Sequence, residues 1–211
     1  RRGIGTGAAN PTQSQFLDHG AIVMMRTSLF SALVLASLAA CGSTITRLDM
    51  PRVGSDLNVR SQVGSVMIRT VSLPTYAATE EFSLETAPGV ITSDGKLLAA
   101  DDPERSMTLT LTRQLDDILD ATVGPDPWPF AGLADVSVDV RVSEMLGSAV
   151  TGTYKLAGQY FIGGDGIAFR DTSTTFSYDV PMATPDIPGA VAAQGAAVQM
   201  LAEDIARRLG R

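Results

Sequence analysis

The polar and apolar positions sort the chain into strands and helices from Gly64 onward. Val66, Ile68 and Thr70 alternate with Met67, Arg69 and Val71, the two-residue period of a strand, and Pro74 ends the run. Residues 82–85 and 90–92 are short strand-like pieces separated by Pro88-Gly89. Asp94-Gly95 is a tight-turn signal, with residues 96–100 as the returning strand, so this stretch predicts a hairpin. A helix start follows: Asp101 or Asp102 can cap it, Pro103 suits its first position, and Glu104 suits its first turn. Met107, Leu111, Leu115, Ile118 and Leu119 form an apolar stripe at helical spacing that ends near Gly124. The alternation at residues 108–112 would also suit a strand, but the cap and the Leu111–Leu115–Leu119 ladder favour the helix.

Beyond the proline-rich connector at residues 125–129, three strands are expected at 135–145, 150–162 and 167–180. Val136, Val138, Val140 and Val142 alternate with Ser137, Asp139, Arg141 and Ser143, which buries one face and wets the other. Gly147 and residues 163–166 supply the turns. A last helix runs from about Ile187 to Leu209, its core face formed by Val191, Val198, Leu201, Ile205 and Leu209, with Arg207 and Arg208 at its negative end. The order predicts an α+β fold, an antiparallel sheet with two helices packed on one face.

The first forty residues read differently. Residues 1–20 are polar and Gly-rich, and Met24 or Met25 is a plausible start. Arg26, an apolar run at 29–38 and the small residues Ala39-Ala40 then have the layout of a secretory signal peptide. The run is too short for an ordinary spanning helix of about 20 residues. Leu38-Ala39-Ala40-Cys41 resembles the bacterial lipobox, which implies cleavage before Cys41 and a diacylglyceryl group on its sulfur with a further acyl chain on its amine. The competing reading is an uncleaved buried helix with an incidental cysteine. Gly42, where aspartate would favour inner-membrane retention, implies the periplasmic face of the outer membrane. The expected division is residues 1–40 as leader, 41–63 as lipidated N-terminus and tether, and 64–211 as the folded domain.

Composition narrows the chemistry. The 211 residues are 45% apolar and 18% charged, enough apolar material for a core, and the net charge of −7 argues against nucleic acid as partner. Removing residues 1–40 takes away three arginines and one aspartate, leaving 13 basic and 22 acidic residues, or −9. It also removes His19, while lipidation would block Cys41, so the mature chain would carry neither histidine nor free thiol. Without histidine a Ser–His–Asp arrangement cannot be built, so no enzyme is expected. Asp101, Asp102 and Glu104 could hold a hard cation, but their place at a helix start favours capping; Asp116, Asp117 and Asp120 read as a solvated helix face. The glycines at residues 3–7 follow no strand and do not read as a phosphate loop.

With the lipobox cysteine, a strand running into Leu73-Pro74-Thr75-Tyr76, the Pro127-Trp128-Pro129 connector, a strand meander and a C-terminal amphipathic helix, the chain resembles the PqiC family of ABC-transport auxiliary lipoproteins. It departs from the family's usual Arg-Trp pair at the first helix start, where Asp102-Pro103-Glu104-Arg105 has no tryptophan. The resemblance implies a non-enzymatic, membrane-anchored subunit working with an MCE-domain protein and its permease in lipid transport between two membranes. A ring-forming homo-oligomer would suit that role, and no cofactor beyond the lipid on Cys41 is implied. Tyr76, Pro127, Trp128 and Pro129 are the candidate partner contacts, although Trp128 could instead cover the end of the helix–sheet core. The alternative function is a carrier that holds a lipid between sheet and helices, against which the Val, Ile and Leu at inward positions suggest a filled core.

Overall fold

A computed structural model describes residues 44–164 and 169–211. Its strands are β1 (Thr46–Leu48), β2 (Ser65–Ile68), β3 (Glu81–Ala87), β4 (Val90–Ala99), β5 (Thr122–Pro125), β6 (Val136–Ser148), β7 (Thr153–Gly164) and β8 (Thr172–Pro181). Helix α1 (Pro103–Ile118) lies between β4 and β5, and α2 (Ile187–Leu209) closes the chain.

The valine ladder builds the centre. Val136, Val138, Val140 and Val142 are buried along β6, with Ile162 and Tyr160 of antiparallel β7 opposite Val138 and Val140 and Leu156 opposite Met145, and β8 extends the meander on β7. Both helices bury their apolar stripes on this face. Met107, Leu111 and Leu115 of α1 and Val198, Leu201, Ile205 and Leu209 of α2 are wholly enclosed. Each such side chain contributes about 1.5–3 kcal/mol of burial free energy. Alanines 197, 202 and 206, also wholly enclosed, let α2 lie close to its neighbours. The α+β architecture with helices on one face is therefore as the pattern predicts.

The capping is also as expected. Asp102 Oδ1 accepts from Arg105 N at 2.8 Å, and Asp186 Oδ1 accepts from Gly189 N at 2.8 Å. Arg207 and Arg208 occupy the last turn of α2.

The sheet, however, is mixed. Opposite β7, the other edge of β6 is shared by two strands, both parallel to it: β2 at Val66↔Val136 and β3 at Leu84↔Gly147. β5 is parallel to β2, and β1 is parallel to β4. Between β2 and β5 the chain passes through a hairpin and α1, and such a crossover returns a strand in the same direction. The meander and the β3–β4 hairpin account for the antiparallel pairs.

Three local expectations are corrected. Helix α1 stops at Ile118, well short of Gly124, because residues 122–125 instead pair with β2, starting with Thr122 N to Gly64 O at 2.9 Å. The hairpin turns at Pro88-Gly89, where Gly89 adopts φ +74°, and Asp94-Gly95 lies inside β4. There Asp94 Oδ1 accepts from Lys96 N at 2.9 Å and the register against β3 slips, so the local turn becomes an irregularity within a strand.

The third concerns residues 46–63, which are part of the domain and not a free tether. β1 pairs with β4, and Pro51 and Val53 lie against Gly195 of α2. Gln114 Nε2 donates to Val53 O at 3.2 Å, Gln199 Nε2 to Gly54 O at 2.7 Å, and Ser55 Oγ to Glu203 Oε1 at 2.7 Å. Isolated bridges join Val59 to Leu119 and Ser61 to Gly210. This strap crosses both helices.

Candidate functional site

Leu38, Ala39, Ala40 and Cys41 lie outside the described residues, as do His19 and the glycines at 3–7. The candidate contacts that can be placed are Tyr76 and the connector around Trp128.

Gly124 of β5 sits opposite Met67 of β2, which sits opposite Ser137 of β6. All three alternate with core residues (Val123, Val66, Val136), so they face away from the helices. A Cβ on Gly124 would meet Trp128 Cζ3 at 3.0 Å, Pro129 Cδ at 3.1 Å and Phe130 Cε2 at 3.3 Å. The missing side chain is what seats the connector on the sheet. The Trp128 and Phe130 rings meet edge to face at 4.9 Å, the arrangement their quadrupoles favour. Trp128 is half-buried and lies outside the helix–sheet core cluster. Its indole N–H is covered yet has no hydrogen-bond partner among the described residues, a cost of about 1–3 kcal/mol that aromatic packing offsets. The peptide bond before Pro127 is cis; Pro127 and Pro129 are exposed.

Phe130 and Leu133 complete this surface and were not among the sequence candidates. Phe130 is 51% exposed and Leu133 is 93% exposed, the largest value among the exposed large hydrophobics. The aromatic following Pro129 was the available signal for Phe130, but Leu133, isolated between a glycine and an alanine, carried none.

Tyr76 belongs elsewhere. Its hydroxyl accepts from Met145 N at 3.1 Å, roughly 25 Å along β6 from the level of Gly124 at the usual strand rise. The two candidates do not form one site. Tyr76 also borders a cavity of about 60 Å³ with Phe82, Met145, Tyr154, Ile187 and Val191. That space suits a few water molecules and not the acyl chains of a phospholipid. Burial, and then the neighbouring Tyr76, push the Tyr154 hydroxyl above its ordinary range, so it stays protonated and supplies no base.

The acidic groups serve the backbone. Asp101 pairs with Arg105, and Glu104 Oε1 accepts from Leu73 N at 3.2 Å. Asp116 Oδ1 accepts from Val123 N at 3.4 Å, and Asp120 Oδ1 accepts from Ser61 N at 2.6 Å. The last three tie α1 or its exit to an adjoining segment of chain, and Asp101 pairs within the helix start. Among the described residues no group of three or more metal-ligating side chains occurs.

A domain whose polar groups are spent on its own backbone, with a bare apolar loop on the outside, suits an accessory component. The family model described as an ABC-type transport auxiliary lipoprotein component matches residues 47–206. The chain belongs to this family. The match begins within β1, in agreement with a domain that includes the strap. The auxiliary lipoproteins are a transport-associated family and not an enzyme family. No curated protein matches the chain. Among solved structures, an uncharacterized protein aligns with a TM-score of 0.65 at 17% identity, covering 79% of this chain and 99% of its own. A Xanthomonas campestris protein of family DUF330 aligns with a TM-score of 0.59 at 11% identity, covering 76% of this chain and 92% of its own. These two likenesses establish the fold. No described helix is long and apolar enough to cross a membrane.

Proposed function

We propose that this auxiliary lipoprotein is the lipid-anchored docking subunit of an MCE-type lipid-transport system. Acyl chains on Cys41 hold it at the periplasmic face of the outer membrane, and its outer loop captures the MCE-domain protein that works with the permease. The observation carrying this reading is the loop from Pro127 to Leu133: an apolar surface held off the core on a glycine seat, with Leu133 almost fully exposed. Aromatic residues placed on a stiff base lose little entropy on binding, which suits a capture surface. The role is positional and needs no catalytic group.

Two measurements test it. Cys41→Ser should move the protein from the membrane fraction to the soluble periplasm; retention at the membrane would overturn the anchor. A photo-crosslinking residue at Leu133 should trap the MCE-domain protein in cells, whereas one at Ser177, on β8, should not. Equal crosslinking at both positions, or none at Leu133, would overturn the docking surface. Against a lipid carrier stand the small cavity beside Tyr76 and the charge of the roomier groove between β8 and α2, about 410 Å³ and lined by Glu203, Asp204 and Arg207; one lipid per unlipidated chain in native mass spectrometry would favour the carrier instead.

A further inference from the structure

β3 and β6 run parallel and end side by side: Glu85 pairs with Ser148, and Ala149 N donates to Glu85 O at 2.9 Å. The β3–β4 turn and the β6–β7 turn are therefore neighbours. Met182 N, donating to Gly152 O at 2.9 Å, brings the loop after β8 to the same end of the sheet. These three loops carry no charge. Residues 86–93, 145–154 and 180–185 contain no Asp, Glu, Lys or Arg, in a chain that is 18% charged with a net −7. Of the carboxylates that adjoin these stretches, Glu85 accepts from Gly89 N at 2.9 Å within the turn, Asp94 accepts from Lys96 N, Glu144 pairs with Lys155 and Asp186 caps α2. From this neutral surface Val90, Ile91 and Val150 project, 49%, 43% and 51% exposed.

The course of the chain says what covers them. Because β1 is parallel to β4, with Thr46 opposite Leu97, Ile45 lies at the end of β1 that faces back toward the β3–β4 turn. From that level β4 spans at most about 20 Å to Val90. Cys41 is four residues before Ile45, no more than about 14 Å even when fully extended. That falls short of the strand span on its own, and the thioether-linked glyceryl group that carries the acyl chains makes up the remainder, so the bilayer is nearer to this end of the domain than to the Trp128 end.

We infer that Val90, Ile91 and Val150 form a foot that seats on the lipid bilayer beside the anchor, at the boundary between headgroups and acyl chains. The inference deepens the docking reading and rests on the Cys41 anchor. Elsewhere the acidic surface would have to bring charge against an anionic leaflet or strip it of water, whereas these loops can enter the boundary with neither cost. Acyl chains alone fix only the distance to the bilayer; a second contact fixes the orientation. The Trp128 seat lies about 35 Å away along β6 at the usual strand rise, so a seated foot turns the capture loop toward the periplasm.

Tryptophan quenching tests this on the full lipoprotein. In a Trp128→Phe background, single reporters Val90→Trp, Val150→Trp and Leu133→Trp are compared in phosphatidylethanolamine–phosphatidylglycerol vesicles doped with brominated lipid. Reporters at 90 and 150 should be quenched at least about twofold more than the one at 133. Equal quenching at all three, or stronger quenching at 133, would overturn the foot. Ile91→Trp replaces either foot variant if its melting curve shows misfolding. The mass of the purified chain tests the anchor separately: an unmodified Cys41 refutes the anchor, and coupling that thiol to a maleimide-bearing lipid then puts the chain on vesicles for the same comparison.

Discussion

The Tyr76 hydroxyl accepts the Met145 N–H where the edge of β6 has no strand beside it among the described residues. Val142 N still reaches Ser72 O at 2.9 Å, and pairing with β3 resumes at Gly147. The phenol fills the interval between two strands that share one edge. Tyr76→Phe should therefore orphan a part-buried backbone donor and lower unfolding free energy by about 1–2 kcal/mol, read from urea midpoints. Capture of the proposed MCE-domain partner should be unchanged. An unshifted midpoint with lost capture would return Tyr76 to the role of a partner contact.

Trp128→Ala should do the reverse. The ring lies outside the main core, so stability should fall by no more than about 2 kcal/mol, while co-purification of the partner should drop sharply. A cost of core size, about 3–5 kcal/mol, would mean that the loop is part of the fold's foundation.

Gly195→Ala separates two opposing effects. In an exposed helix the change would add about 1 kcal/mol of stability. Here the new Cβ would stand 2.6 Å from Pro51 O and 3.0 Å from Pro51 Cγ. The strap must yield, so faster hydrogen exchange at residues 51–57 is expected with little or no gain in melting temperature. A gain with unchanged exchange would show that the strap does not press on α2.

The strap should also respond to acid. Ser55 foremost, then Arg207 and Gln199, hold the Glu203 carboxyl below its ordinary value of 4.5, outweighing burial. A lowered folded pKa means that stability is fully present above pH 4.5 and is lost as pH falls through the folded value. In urea titrations the gap between the natural protein and Glu203→Gln should hold steady at neutral pH and shrink below that point. A gap independent of pH would rule out this contribution.

Residues whose structure depends on near neighbours were legible in the sequence. Asp102 caps its own helix three residues on, Val136 to Val142 alternate within one strand, and the stripe of α2 needs only its own spacing. What was missed depends on distant partners. Thr122 to Pro125 becomes a strand because Ser65 to Ile68 lies beside it, and nothing in four residues announces that. The strap is held by Gln114, Gln199 and Glu203, polar residues whose targets lie far away in sequence. Asp94-Gly95 is a good local turn overruled by Pro88-Gly89, where the positive φ falls. At the candidate surface Trp128 stood out by type, whereas its seat on Gly124 required knowing which face of β5 looks away from the helices.

β6 is paired with β7 from Val136 to Ser148 with a single bulge, and this gives the molecule a stiff beam. Pivoted at its Val150 end, a tilt of about 5° sweeps the far loop sideways by about 3 Å over the strand's length. Rocking too small to disturb one contact in the core would thus become a search radius at the aromatic end, with no hinge anywhere along the way.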